Sequence, residues 1–313
     1  FTLAKIGFSG SLVFYDAMLS DVTEDSRMDM VSSKGYAWGY LGSCLPFVLC
    51  LALILTAEQT GLGTATATGI AFLITALWWI GCSLPLLKNY RQVHFVPRAP
   101  GAVKESLRRL GRTLRDIRKE KKAFWFLLAF FCYIDGVGTI FMMATPLSVD
   151  IGISSAWLLC TILALQFLAF PFTMLYGRLS RVVPARTLVY WAIGVYVLVS
   201  LLCGVIPSLS SATHKLWVFL AVAFLIGTSQ GGIQSLSRSL FSRLIPRERA
   251  SEFFGFYNIF GKFTTVLGPI LIALAAGVSG RSEYGIALLV IPFVAGGLLL
   301  SRVKFPEESQ GGA

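Results

Sequence analysis

The sequence predicts an all-α protein that crosses a membrane many times. Of its 313 residues, 55% are hydrophobic and only 14% are charged, whereas soluble domains carry roughly 25% charged residues. The mean hydropathy is +0.72. Apolar runs of about 20 residues recur along the whole chain, and each is long enough to cross the hydrocarbon core as a helix. These observations together favour a polytopic helical membrane protein.

We expect nine spans, with the approximate bounds 1–20, 35–57, 66–87, 123–144, 153–177, 187–207, 216–236, 253–277 and 284–303. The chain begins inside an apolar run, so further spans are expected before Phe1. A long loop leaves three spans before it and six after it. Six spans make one half of a major-facilitator-type transporter, and the arrangement therefore predicts a protein of twelve spans whose first three precede Phe1.

Basic residues predict the orientation of these spans. If the C-terminus is cytosolic, the inside loops and tail hold 23 basic residues, and the outside loops hold only Lys215 and Arg281. The positive-inside rule selects this orientation. The net charge of +11 is therefore attributed to topology and to anionic lipid, and a nucleic-acid partner is not expected.

The segment 88–122 is the one long loop, and we interpret it as a basic cytosolic linker. Within it, Val103, Leu107, Leu110, Leu114 and Ile117 recur at intervals of four and three residues, which places them on one helix face opposite a basic face. The segment 101–122 is thus a candidate helix lying on an anionic leaflet, with a solvated linker as the alternative. It separates residues 1–87, the last three helices of the N-terminal half, from the six-helix C-terminal half at 123–303 and a cytosolic tail at 304–313.

Few residues are available for metal or cofactor chemistry. The two histidines, His94 and His214, lie in loops, and the six cysteines lie in or beside apolar runs, where we interpret them as small apolar fillers. We therefore expect no metal site and no cofactor. A nucleophile–base set or a phosphate loop is not seen in the spans, so a membrane-embedded enzyme is the least favoured class.

Three segments carry a family resemblance. They are SLVFYDAMLSDVTEDSRMDMVSSKGYAWGYLGS at 11–43, FFCYIDGVGTI at 130–140 and GGIQSLSRSLFSRLIPRERASEFFGFYNIFGKF at 231–263. They resemble the vacuole-effluxer-like branch of the major facilitator superfamily, whose founding members are autophagy-related vacuolar amino-acid effluxers. The resemblance covers nearly the whole chain. It implies a transporter, with amino acids as the solute, in a bacterial inner (plasma) membrane or a vacuolar membrane.

Polar residues inside the spans are the candidate solute ligands, because such residues are costly in a membrane and are functional by default. The set consists of Asp135, Lys262, Asn258, Gln166, Gln230 and Gln234. Lys262 lies about 14 Å along its span at 1.5 Å per residue, close to mid-depth. We expect it to face a central cavity within reach of Asp135 or of a solute carboxylate.

Each of these residues also has a structural interpretation. Lys262 could extend to the cytosolic interface or form a purely structural bridge with Asp135. The three glutamines could serve only to bond neighbouring helices. A proton is a candidate coupling ion, with Asp135 as one place where it would bind.

Four charged residues predict a cytosolic gate. At a constant offset of 222 residues, Asp16 corresponds to Arg238 and Asp21 to Arg243. Acids thus end one helix where bases end its counterpart, and we expect these pairs to meet when the cytosolic side closes. The sequence as a whole predicts a secondary active transporter of a small polar solute, working by alternating access; a non-transporting scaffold or sensor on the same fold is the alternative.

Overall fold

The computed structural model describes residues 2–94, 102–262, 266–279 and 284–305. The α-helices of these residues are, in chain order, α1 (Thr2–Ala17), α2 (Leu19–Val22), α3 (Met28–Leu55), α4 (Thr64–Asn89), α5 (Ala102–Lys119), α6 (Lys121–Asp150), α7 (Ser155–Leu179), α8 (Ala185–Val205), α9 (Ala212–Ser242), α10 (Ala250–Lys262), α11 (Leu267–Ser279), α12 (Tyr284–Ala287) and α13 (Val290–Ser301). Short 3₁₀ turns lie at Asp25–Arg27, Ile206–Ser208 and Arg247–Arg249.

Seven helical stretches of the described chain are long and apolar enough to cross a membrane. The expected count of nine spans is therefore not confirmed. The first expected span corresponds to α1, which has only 16 residues. The expected span 284–303 consists of the short helices α12 and α13. The expected span 253–277 is among the seven, within the stretch Arg247–Ala275, in which α10 ends at Lys262 and α11 begins at Leu267.

Several helices extend beyond the apolar runs that predicted them, and two of these, α3 and α9, matter for the site. Helix α3 begins at Met28, seven residues before its expected span, and α9 continues to Ser242, past the expected end at 236. The extension of α9 is stabilised because Leu240 and Phe241 are buried in the core. Arg238 consequently lies on a helix and not in the expected loop 237–252.

The C-terminal helices α6–α13 pack around a core of aromatic rings. Phe241 lies at the centre of this aromatic core, with ring centroids 5.7 Å from Phe126, 5.3 Å from Phe254 and 5.1 Å from Tyr257. Tyr257 also stacks on Phe130 at 4.1 Å. Offset and edge-to-face ring contacts of this kind add to the energy of burial, and they join α6, α9 and α10 into one unit.

The N-terminal helices α1–α4 contact this unit in two places. Helix α3 packs against α7 and α9, and α1 packs against α10. The approach of α3 to α7 is close, since a Cβ on Gly177 would lie 2.7 Å from the Ser33 Cβ. Arg247 bonds Asp25 at 2.7 Å, which brings two of the loops expected inside to the same end of the bundle. We call this end the basic end.

The linker helix is present, and it is docked on the C-terminal unit. In α5, Thr113 is buried and donates to Glu252 of α10 at 2.6 Å, while Arg249 donates to Asp116 at 2.8 Å. Ile117 is buried as well, so this part of the apolar face packs on protein. Residues 95–101 of the expected linker lie outside the described residues.

The beginning of the expected tail also packs on the protein. Phe305 is buried, and its ring lies 6.3 Å from that of Phe126. The remainder of the tail, 306–313, lies outside the described residues.

Candidate functional site

A cavity of about 280 Å³ lies where α1 and α3 meet α6, α9 and α10. Its walls combine two charged residues, aromatic rings, amides and aliphatic side chains. The lining residues are Leu12, Tyr15, Asp16, Tyr36, Phe130, Ile134, Gln234, Tyr257, Asn258, Gly261 and Lys262. An open groove of about 670 Å³ between α1 and α10 shares Asn258 and Lys262 with it.

The Asp16 carboxylate, which lines this cavity, is paired with Arg238. The two side chains are 3.4 Å apart, and both residues are buried, with 6% of Asp16 and 2% of Arg238 exposed. The guanidinium also lies between two rings, 4.9 Å from the centroid of Tyr15 and 4.8 Å from that of Tyr36. A buried charge needs such partners, because an unpaired one would be strongly destabilising.

Arg238 also joins α9 to α3. Its Nε donates to the Ser32 hydroxyl at 2.9 Å, and its Nη2 donates to the Ser32 carbonyl oxygen at 3.2 Å. The Ser32 hydroxyl in turn donates to the Ser235 carbonyl oxygen at 2.7 Å. The Ser33 and Ser235 hydroxyls are 3.1 Å apart. The two helix groups are thus connected here through short polar side chains.

A second acid lies nearer the basic end. Asp29, which is 7% exposed, accepts from the Ser239 hydroxyl at 2.5 Å and from Arg243 at 2.8 Å. We use the name polar seam for this contact between the two helix groups, which consists of Asp16, Asp29, Ser32, Ser33, Ser235, Arg238, Ser239 and Arg243.

Asn258 and Lys262 follow one another along α10 at a spacing of one turn. The Asn258 amide donates to the second oxygen of Asp16 at 2.9 Å and to the Phe254 carbonyl oxygen at 3.1 Å. Lys262 lines the same cavity as Asp16 and interacts with it electrostatically. The acid that shares a cavity with Lys262 is therefore Asp16, on a different helix from the expected Asp135.

The partners of Asp135 are backbone groups. This fully buried side chain accepts from the N–H groups of Leu267, at 3.3 Å, and of Gly268, at 2.7 Å, at the start of α11. It is not among the residues that line the cavity. The expectation that Asp135 binds solute remains a prediction.

The three glutamines lie in different surroundings. Gln234 lines the cavity and accepts from the Tyr40 hydroxyl at 3.3 Å. Gln166 donates to the Ser43 hydroxyl at 3.4 Å and so joins α7 to α3. The Gln230 side-chain oxygen is buried, and no described residue bonds to it. Of the three, only Gln234 lines the cavity.

The two expected gate pairs differ in outcome. Asp16 and Arg238 meet, as the 222-residue offset predicted. The pairing of Asp21 with Arg243 is wrong, because Asp21 lies 2.8 Å from the His94 ring and accepts from the Tyr90 hydroxyl at 2.5 Å, while Arg243 bonds Asp29. The offset holds again a few residues later, where Arg247 bonds Asp25 at 2.7 Å.

Comparison with known proteins establishes the family of this chain. Residues 6–310 match the family model described as "Vacuole effluxer Atg22 like". The chain belongs to this Atg22-like family. It is 43% identical over 311 residues to the "Uncharacterized MFS-type transporter YxiO" of Bacillus subtilis (strain 168), covering 99% of this chain and 71% of the relative. It is 26% identical over 295 residues to "Autophagy-related protein 22-2" of Aspergillus clavatus.

The match to the fungal relative covers 86% of this chain, which spans about half (47%) of that protein. Among solved structures, the transporter FucP, of the major facilitator superfamily and in the outward conformation, aligns with a TM-score of 0.64 at 13% identity. The alignment covers 93% of this chain and 72% of FucP, and it shows the fold alone. As an Atg22-like protein, the chain is an integral, multi-pass transporter of the major facilitator type and not an enzyme.

Sequence reasoning missed several residues of the site in this Atg22-like chain. Ser32, Tyr36 and Tyr40 recur every four residues and face α9 along one side of α3, which is a helical pattern that could have been recognised. Asp29 was assigned to a loop and was therefore overlooked. His94 was treated only as a loop residue, and nothing in its sequence context indicates Asp21 as its partner.

Proposed function

We propose that this protein is a secondary transporter that moves a small polar solute by alternating access, with amino acids as the solute class. The observation that carries the proposal is the cavity that holds Asp16 and Lys262 at the meeting of the two helix groups. Major-facilitator-type proteins hold their solutes near the midplane, between their two halves. The family name, which describes a vacuole effluxer, supports an amino-acid solute less directly.

A zwitterion would suit this cavity. Lys262 would bind the carboxylate, and Asp16 would bind the ammonium group, in competition with Arg238 and Asn258. Gln234, Gln166 and Gln230 remain candidate polar ligands of the same region, as does Asp135. The solute would thus act on the residue that closes the cavity, which would couple binding to opening.

We propose further that residues 1–87 and 123–303 are the moving parts and that the polar seam is a gate. The gate is expected to lie on the cytosolic side, since the loops at the basic end carry most of the basic residues. Opening would separate Asp16 from Arg238 and Asp29 from Arg243. The membrane would be a bacterial plasma membrane, with the vacuolar membrane as the alternative.

Reconstitution of the full-length protein into liposomes tests the function. We expect uptake of radiolabelled amino acids from an equimolar mixture, and we expect Lys262→Met to abolish it while leaving folding near normal. Lys215→Met, which removes a partly exposed lysine near the start of α9, is the matched control and should transport like the parent. Transport by Lys262→Met at the parental rate would contradict the proposed site.

Two other results would redirect the proposal. Binding of amino acids without any movement across the liposome membrane would favour a sensor over a transporter. A folding failure of Lys262→Met that Asp135→Asn repairs would identify a structural bridge between the two residues.

Anionic lipid is the proposed partner of the segment 101–122. Arg108, Arg112 and Arg115 are exposed on α5, although Thr113 and Ile117 pack on protein. A peptide of this segment is expected to become helical with anionic vesicles and not with neutral ones, and the effect should weaken with salt. No helicity on anionic vesicles would contradict the proposal.

A further inference from the structure

Helix α11 begins against the middle of another helix. Asp135 lies halfway along α6 and is fully buried. One carboxylate oxygen accepts from the Leu267 N–H, and the other accepts from the Gly268 N–H. The first N–H groups of a helix have no partners within the helix. At membrane depth each such group must find a partner within the protein, and Asp135 supplies it for two of them.

The remaining donors of this first turn are also accounted for. Pro269, the third residue of α11, has no N–H group to satisfy. The Ile270 N–H donates to the Val266 carbonyl oxygen at 3.3 Å. Among the described residues, the first turn of α11 thus receives its external hydrogen bonds from one carboxylate, and that carboxylate belongs to a different helix.

Thr139 is a second residue of α6 that lies against the first turn of α11. It lies one turn after Asp135 on α6, and its hydroxyl is buried with no hydrogen-bond partner among the described residues. A Cβ added to Gly268 would lie 1.8 Å from the Thr139 oxygen. The first turn of α11 is therefore seated tightly on α6, next to a hydroxyl that is free to bond another group.

The ionised state of Asp135 and the seating of α11 depend on each other. Burial disfavours the charged form of a carboxyl group, whereas accepted N–H bonds favour it. If α11 moves away, the charge loses both donors and remains buried, so that proton uptake from water becomes favourable. If a proton binds first, one oxygen becomes a donor and a much weaker acceptor, so that its hydrogen bond from the backbone is weakened. By linkage, each event favours the other to the same extent.

Few other titratable groups face this site from the surrounding helices. Helices α11 and α13 carry no titratable side chain within their described bounds. Helix α10 contributes Lys262 at its end, α8 contributes Tyr196, whose ring stacks on Phe293 at 5.5 Å, and α6 itself contributes Cys132. In α9, Arg238 is already bonded to Asp16.

We infer that Asp135 carries the coupling proton of this transporter and that proton binding there releases the first turn of α11 from α6. The inference rests on the proposed function, because a coupling proton requires a transported solute. It assigns Asp135 a role different from solute binding. The carboxylate takes up one proton to become a neutral carboxyl group, and no other bond is made or broken. Helix α11 follows α10 in the chain, and Lys262, the last residue of α10, lines the cavity.

Hydrogen–deuterium exchange of the full-length protein tests the release directly and needs no solute. The readout is the protection of the amides of residues 267–272, after correction for the chemical exchange rate, as the pH is lowered from about 8 to about 5. We expect protection at the higher pH and a loss of about tenfold or more at the lower pH, because hydrogen bonds to a charged group are strong. Amides in the middle of α9 should not respond.

Asp135→Asn imitates the protonated side chain, since an amide offers only one accepting oxygen. We expect its α11 amides to exchange quickly at every pH. Cys132→Ser, a change three residues away on the same helix, is the matched control and should keep the wild-type response. Asp135→Glu retains the charge and should retain a pH response if the asparagine variant does not fold.

Protection of α11 that stays constant over this pH range in the wild type would overturn the inference, whatever the variants do. Normal protection in Asp135→Asn would overturn it as well. Transport in liposomes separates it from the proposed function. A pH response of α11 without solute movement would support the release of α11 and overturn the transport proposal. Solute movement with an unresponsive α11 would support the transport proposal and overturn the release.

Discussion

The polar seam and the aromatic core are both buried, but they are held together by opposite kinds of contact. The seam joins the two helix groups through hydroxyls, carboxylates and guanidinium groups, such as Arg238 on Ser32 and Arg243 on Asp29. The core joins helices within the C-terminal unit through stacked rings around Phe241. Water can replace the partners of the seam when it opens, whereas exposed rings gain no partner in water.

This difference indicates that the two helix groups separate at the polar seam and not at the aromatic core. A polar contact that water can replace costs little to open, because each lost hydrogen bond is exchanged for another. A close-packed ring cluster loses its contacts outright. The seam is therefore suited to repeated opening, and the core is suited to keep α6, α9 and α10 together while the seam opens.

The largest expected effect comes from breaking the core. Phe241→Ala should destabilise the C-terminal unit by about 3–5 kcal/mol, the usual cost of removing a buried ring. Thermal unfolding of the purified protein would measure it as a lower melting temperature. Phe224→Ala removes an equally large ring that is 54% exposed, and it should have a much smaller effect. Equal shifts for the two variants would contradict the assignment of the core to Phe241.

The next effect comes from breaking and restoring the gate. Charge reversal by Asp16→Arg places two like charges in the seam, and the basic end should then open more often. The double variant Asp16→Arg with Arg238→Asp restores opposite charges and should restore closure. A cysteine at Ser235, in a background without the native cysteines, would report opening through its rate of reaction with a membrane-impermeant maleimide. Opening effects that simply add in the double variant would argue against a direct pair.

A smaller effect is expected at Asp29. Asp29→Asn keeps the shape of the side chain but removes the charge that Ser239 and Arg243 contact. Hydrogen bonds to charged groups contribute about 1.5–3 kcal/mol, so the same maleimide assay should show partial opening. The matched control is Asp25→Asn, since the Asp25 side chain is 62% exposed and its bond to Arg247 should matter little. If Asp25→Asn opens the seam as much as Asp29→Asn does, the burial of Asp29 does not explain why its contacts resist opening.

The polar seam also shows how much of the site could be predicted from the sequence. The apolar runs located the helices, and the i, i+4 relation of Asn258 and Lys262 placed both on one cavity wall. The constant offset between the two halves found Asp16 and Arg238, because both lie near the ends of regular helices. The same offset failed for Asp21, because its carboxylate bonds the Tyr90 hydroxyl and the His94 ring, partners that the offset does not take into account.

The role of Asp135 could not be predicted for a different reason. An apolar run gives no sign that a helix starts inside it, and the only local signals are Gly268 and Pro269, which membrane helices tolerate in many settings. The position of Asp135 at mid-depth was readable, but its backbone partners depend on how α11 packs on α6. Contacts of this kind are set by tertiary structure and leave no periodic pattern.

The smallest expected effect concerns the contact between α5 and α10. It sharpens the comparison because this contact is polar but its charged side chains are partly exposed. The hydrogen bond from Arg249 lowers the pKa of Asp116, and Arg249 itself is kept charged by the same contact. A lowered pKa means that the contribution of this contact is fully present above the ordinary Asp pKa of about 3.9 and is lost only as the pH falls through the lowered value. Protease cleavage within residues 101–122 should therefore be constant between about pH 5 and about pH 8.

Salt should have the stronger influence, since the side chains of Asp116 and Arg249 are 32% and 31% exposed and charges at such sites are screened. Asp116→Asn should accelerate cleavage at low salt and have little effect at high salt. Glu120→Gln, which removes an exposed carboxylate beside the end of the same helix, is the control and should leave cleavage unchanged. Cleavage that rises between pH 8 and pH 5 would mean that another group holds α5 in place. The contact at α5 is thus expected to depend on salt, because its partly exposed charges are screened, whereas the buried charges of the seam are screened much less.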